Sequence, residues 1–329
     1  MSSPLAEITD AVDLCLTNGT LNPGARGFTR RPLHRTNLTG WGRNKRWEYW
    51  GIVTPRFVLG LTISSLDYAA VNQFYFLDRE TGEERELGST VPLGRRVNLP
   101  DTLPPFTANA TSRNVVLSFA EGGDGTVIRA SVEGIDLDLK AAPGGDSLGV
   151  VVPWSTKLFQ YTLKDVARPV TGTLTINGER HELPAKTSWA VLDRGRGRWP
   201  YSSTWNWGAG SGMVRRKRVG LQLGGGWTVG TGSTENAIFV DGHLDYIPNE
   251  LGWTFNASDY TQPWTVVGDR VSVTLTPFHV RNASTSALVV SSETHQAFGE
   301  WSGWVRRSSG KEISVDGLVG WAEVAANRW

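Results

Sequence analysis

Cysteine is almost missing from this chain. Cys15 is the single one among 329 residues, so no disulfide can brace the fold from within. Such a chain suits a reducing compartment, and a cytoplasmic location is expected. Any excess of charge is missing too. With 33 basic residues against 32 acidic ones, there is no global electrostatic case for a nucleic-acid or strongly acidic partner. No run approaches the roughly 20 apolar residues that a membrane-spanning helix requires. The opening Met1-Ser2-Ser3-Pro4-Leu5-Ala6-Glu7 has neither the basic start nor the apolar stretch of a signal peptide. The five Asn-x-Ser/Thr sequons, at Asn18, Asn37, Asn109, Asn256 and Asn282, are therefore read as chance.

Familiar chemistry motifs are missing as well. Gly208-x-Gly210-x-Gly212 has the wrong spacing for a dinucleotide loop and no helical pattern after it. There is no phosphate-binding Gly-x-x-x-x-Gly-Lys-Ser/Thr and no Gly-x-Ser-x-Gly nucleophile elbow. The five histidines, at 34, 181, 243, 279 and 295, lack the close pairing of a local metal site. No metal and no cofactor are expected.

What the chain does contain is glycine, tryptophan and a period of two. Phe57, Leu59, Leu61 and Ile63 fall on one strand face; so do Ile135, Leu137 and Leu139, Val219, Leu221 and Leu223, and Val271, Val273 and Leu275. The last three sets alternate with polar or small residues, as antiparallel strands with one core-facing side do. Asp124-Gly125, Asn177-Gly178, Asp241-Gly242 and Asp316-Gly317 supply the positive φ values of tight hairpins. The expected class is all-β, a sandwich or closed barrel in two halves. The spacing of Leu5, Ile8, Val12 and Leu16 predicts one short helix over 3–16. The division is placed near residue 183, giving halves 1–183 and 184–329. Of 15 tryptophans, 12 lie at or after Trp154. That makes the second half the candidate for an aromatic-lined pocket.

Four clusters carry polar groups among aromatics. Gly40 to Trp50 interleaves basic and aromatic residues, as nucleic-acid surfaces do; with net charge near zero, a strand with shielding basic side chains is the preferred reading. Asp193-Arg194-Gly195-Arg196-Gly197-Arg198 precedes Trp205-Asn206-Trp207. It forms either an ion-pair lock or the polar floor of an aromatic pocket, with Trp205 and Trp207 on one face and Asn206 on the other. In Thr234-Glu235-Asn236-Ala237-Ile238-Phe239, Glu235 shares an apolar face. It is either paired, with Arg194 or Arg196, or a raised-pKa general acid. Near the end, His295 to Trp304, including Trp301, precedes Trp321 and Glu323. This cluster either closes a barrel or offers Glu323 or His295 as a proton donor.

In this order, the clusters resemble the bacterial DUF2804 family. The matching segments are Gly42 to Trp50, Pro153-Trp154-Ser155-Thr156-Lys157, Asp193 to Trp207, Thr234-Glu235-Asn236, His295 to Gly303 and Gly320 to Glu323. That family is similar to the lipocalin-like superfamily of carotenoid hydratases, tocopherol cyclase and Diels–Alderases. The resemblance implies two lipocalin-like antiparallel barrels packed together around a pocket for an apolar ligand, and no established activity. The leading expectation is a protein that binds a hydrophobic, isoprenoid- or polyketide-like molecule, with acid-assisted hydration, isomerisation or cyclisation as the candidate chemistry. Glu235, Asp193, Glu323 and His295 are the candidate acids. Trp205, Asn206, Trp207, Arg194, Arg196, Asn236, Trp301 and Trp321 are the candidate ligand contacts. A non-catalytic carrier and a carbohydrate-binding or -processing protein are the alternatives.

Overall fold

The period-two stretches are strands. In Ile135–Ala141, Ile135, Leu137 and Leu139 are buried, while Asp136, Asp138 and Lys140 face water. Asn177-Gly178 and Asp241-Gly242 take positive φ at both positions and join consecutive strands as two-residue hairpins. The structure is a computed structural model and describes residues 5–287 and 290–328.

Two large antiparallel sheets result, one of fourteen strands and one of ten among the described residues. At the centre of the first, Asn44–Val53, Trp189–Arg198 and Phe159–Ile176 lie side by side. At the centre of the second are Ser202–Val214, Leu318–Arg328 and Val290–Arg306. Trp189–Arg198, beyond the expected division at 183, is still hydrogen-bonded into the first sheet. The second sheet begins with Ser202–Val214.

Each sheet curls around its own core. Trp50, Phe74, Phe119 and Leu139 fill the first; Leu221, Trp264, Leu275 and Trp301 fill the second. A third apolar layer, including Tyr75, Trp207, Phe298 and Trp321, lies where the convex faces meet. Both faces of the central strands are therefore buried. Gly51 makes part of that contact possible, because a Cβ there would stand 2.4 Å from the Trp321 ring.

The N-terminal helix is not formed across the described part of 3–16; residues 3 and 4 lie outside the described residues. Glu7 bridges Phe28, Val12–Asp13 pairs with His34–Arg35, and Cys15 bridges Leu21. An isolated helix of this length is marginal in water, and the segment's backbone groups find extended partners instead.

Candidate functional site

A cavity of about 250 Å³ opens between the two sheets. This corrects the expectation of a hollow inside the later half. The interior of the second sheet is filled, with Trp264 and Trp301 fully buried in it. Strand alternation explains the shift, because consecutive side chains leave on opposite faces. Trp205 and Trp207 point out of the second sheet, towards the first, and both line the cavity.

The first sheet supplies Trp47 and Tyr49, Thr162 and Lys164, and Asp193. The second supplies Trp205, Trp207, Gln296 and Glu323. Glu235 and Trp227 arrive from the connection between Lys217–Gly225 and Asn236–Val240. Two glycines clear the space. A Cβ on Gly195 would meet the Trp47 ring at 2.2 Å, and one on Gly224 would meet Glu235 Cγ at 2.2 Å.

Three carboxyl groups hang from three indole N–H donors. Trp47 Nε1 donates to Asp193 Oδ2 at 3.0 Å, Trp227 Nε1 to Glu235 Oε1 at 2.8 Å, and Trp205 Nε1 to Glu323 Oε1 at 3.0 Å. Lys164 Nζ joins two of the carboxylates, 2.9 Å from Asp193 and 3.2 Å from Glu235, and lies 4.4 Å from the Trp207 ring centre. Burial opposes the Lys164 charge, but Asp193 and Glu235 outweigh it and hold the ammonium above its ordinary pKa. Burial pushes Glu235 up against the pull of Lys164.

Glu323 differs. Among the described residues its carboxyl has one hydrogen-bond donor, Trp205, and no ion-pair partner. It is 8 % exposed. Burial raises its pKa to about 7, with Trp205, Arg281 and Lys164 pulling the other way. Near neutral pH it therefore holds a proton part of the time, inside an apolar wall. That combination can deliver a proton.

The other candidates sit elsewhere. Arg194 and Arg196 leave the opposite face of Asp193's strand and enter the first core, where Glu48 Oε1 accepts from Arg194 Nε at 3.0 Å and Arg196 Nη2 at 2.9 Å. They form neither a floor for the cavity nor the partner of Glu235. Asn206 donates to the Glu323 backbone carbonyl. Asn236 accepts from Gly224 N and donates to the Asn249 carbonyl, tying down a loop. Trp301 donates to the Ala209 carbonyl inside the second core. Trp321 packs edge-on against Tyr49 and Trp207 behind the cavity. His295 lies off the cavity, stacked on Tyr260 and bonded to Asn282 and Glu293. Among the described residues, no three His, Cys, Asp or Glu side chains converge as metal ligands would.

Lys164, Trp47, Trp227 and Tyr49 were not among the candidates. Phe159, Tyr161 and Leu163 alternate with Gln160, Thr162 and Lys164. That alternation is the signal of a strand with one polar face.

Comparison with solved structures places the fold. The chain superposes on CghA with a TM-score of 0.58 at 13% identity, covering 89% of this chain and 90% of CghA. A structure assigned as AttH from Nitrosomonas europaea gives 0.50 at 14% identity, covering 86% and 92%. No curated protein matches by sequence. No helix among the described residues is long and apolar enough to cross a membrane. The model of one family, described as a domain of unknown function, matches residues 5–329, nearly the whole chain, and the protein belongs to that family, DUF2804.

Proposed function

We propose that this protein binds a hydrophobic small molecule between its two sheets and acts on it by proton transfer from Glu323, in a hydration, isomerisation or cyclisation. The observation that carries the reading is a single one. A carboxyl raised to about 7 faces a tryptophan-walled cavity with no ion-pair partner among the described residues. An acid of that strength is matched to work near neutral pH. The Trp205 N–H fixes the carboxyl's orientation. The indole faces exclude water and favour any positive charge that forms on the substrate. Asp193 and Glu235 are held by Lys164 and serve as the fixed polar end of the site. The fold neighbour CghA has also been crystallised with Sch210972, which agrees with a cavity that takes a guest.

A non-catalytic carrier would need every carboxyl in the cavity neutralised. Lys164 is ion-paired to two of the three, and Glu323 is the exception among the described residues. The test is to extract the molecule that co-purifies from the native host, identify it by mass spectrometry and incubate it with the wild type and E323Q. Conversion by the wild type, with a loss of 100-fold or more in E323Q, is expected. Equal rates, or a ligand that never changes, would overturn the acid role.

A further inference from the structure

The walls of the cavity are unbalanced in charge. Asp193, Glu235 and Glu323 surround one ammonium, that of Lys164. The other cations on the walls lean on acids behind them. Arg46 sits 3.2 Å from Asp67 and 3.5 Å from Asp101, and Arg281 sits 2.5 Å from Glu86. Lys45 reaches the Tyr68 hydroxyl and ring, within the field of Asp67. Tyr49, held protonated by burial, adds no charge.

Lys164 also shows what this environment does to a cation. Its ammonium lies on the face of Trp207 between two carboxylates, in a buried side chain. Trp47, Trp205 and Trp227 turn their N–H edges to the acids. An indole that donates its N–H to a carboxylate holds a more negative ring face. Glu323 has no ion-pair partner among the described residues, with Arg281 and Lys164 acting on it only from farther off, although Trp205 and Trp207 line the same cavity.

We propose that the cavity is complementary to a positively charged apolar molecule of the alkylammonium type, and that Glu323 gives up its proton when such a charge arrives. The charge has two possible sources, a ligand that is already an amine cation or a neutral alkene that becomes a cation on accepting the Glu323 proton. In the second case the O–H bond of the carboxyl breaks, a C–H bond forms, and the π electron pair of the alkene is consumed. Carboxylate and carbocation are left side by side. An ammonium reproduces that charge pair without turnover; the proton then goes to solvent.

The inference uses the acid role of Glu323 but is read by binding rather than by turnover, so the two can fail separately. Benzyltrimethylammonium and its neutral carbon isostere neopentylbenzene are titrated into the full chain at pH 6, by calorimetry in two buffers of different ionisation enthalpy and by tryptophan fluorescence. The expected result is about tenfold or more tighter binding of the cation, with proton release that falls by at least half in E323Q. Equal or tighter binding of neopentylbenzene overturns the proposal; so does proton release undiminished in E323Q. A second variant, K164M, vacates the Trp207 face. Benzyltrimethylammonium is expected to raise its Tm more than that of the wild type, and an equal or smaller rise counts against the proposal. The extracted ligand then separates the sources. A basic nitrogen in it identifies a resident charge. Competitive inhibition by benzyltrimethylammonium of the turnover of a neutral ligand identifies a transient one.

Discussion

Lys164 Nζ and Glu235 Oε2 lie 3.2 Å apart and fasten the first sheet to the second through an ion pair that water scarcely reaches. Asp193 completes the group at 2.9 Å. The arrangement sets both the charge of the cavity and the cost of disturbing it. Removing one member of a buried ion group leaves the others uncompensated, which costs more than the net worth of the pair. K164A should lose about 3–5 kcal/mol of stability, measured as the shift in urea midpoint. A loss below about 1 kcal/mol would show that the group is solvated.

The Glu323 carboxyl gives the chain a signature in pH. Its folded-state pKa, about 7, lies above the ordinary 4.5, so the native state holds its proton more tightly than the unfolded state does. The stability this contributes is complete below 4.5 and is lost as pH rises through about 7. E323Q should remove the dependence. The difference in stability between wild type and E323Q should therefore shift against the wild type across pH 4.5–7, by roughly 3 kcal/mol at most. A flat difference would place the Glu323 proton elsewhere. Any activity that relies on that proton should fall above pH 7.

Gly224 brings the backbone close to Glu235. A methyl group there would stand 2.2 Å from Glu235 Cγ, so either the strand or the carboxylate must move. G224A should destabilise by about 1–3 kcal/mol, as overpacking does, and should weaken binding of benzyltrimethylammonium. Calorimetry reads both, and unchanged affinity would show that Glu235 has room to adjust.

The arginine cluster should prove structural. Glu48 accepts from Arg194 and Arg196 inside the first core, on the far side of the sheet from the cavity. E48Q should cost about 3–5 kcal/mol in denaturant while leaving ligand affinity per folded molecule unchanged. H295A should leave turnover of the extracted ligand within twofold of wild type, because that ring lies against Tyr260, away from the cavity.

Asp193 and Arg194 show how sequence proximity misleads in a β protein. They are neighbours in the chain, yet one serves the cavity and the other the first core. The arginines at 194 and 196 looked like partners for Glu235. A side chain on the adjacent strand, Lys164, took that place. Glu235 and Glu323 were legible as carboxylates on apolar or aromatic faces, where an unpaired charge is costly, and Asp193 as the carboxylate of an arginine-rich cluster next to an aromatic pair. Trp205 and Trp207 were legible as a same-face pair. Trp301 and Trp321 belong to the same aromatic excess, but no local pattern separates an indole that walls a cavity from one that fills a core.

The sequence by itself determined the local rules: period-two strands, hairpins closed at Asn177-Gly178 and Asp241-Gly242, and a second half heavy with indoles. Those rules act over a few residues, where backbone sterics and side-chain alternation suffice. Only the tertiary structure decided that the convex faces of the two sheets meet. That contact turned Trp205, Trp207 and Glu323 towards Trp47, Lys164 and Asp193, and put the cavity between the sheets. Alternation assigns each residue to one of two faces but is silent on what that face will meet. With both faces of the central strands buried, the choice fell to long-range packing.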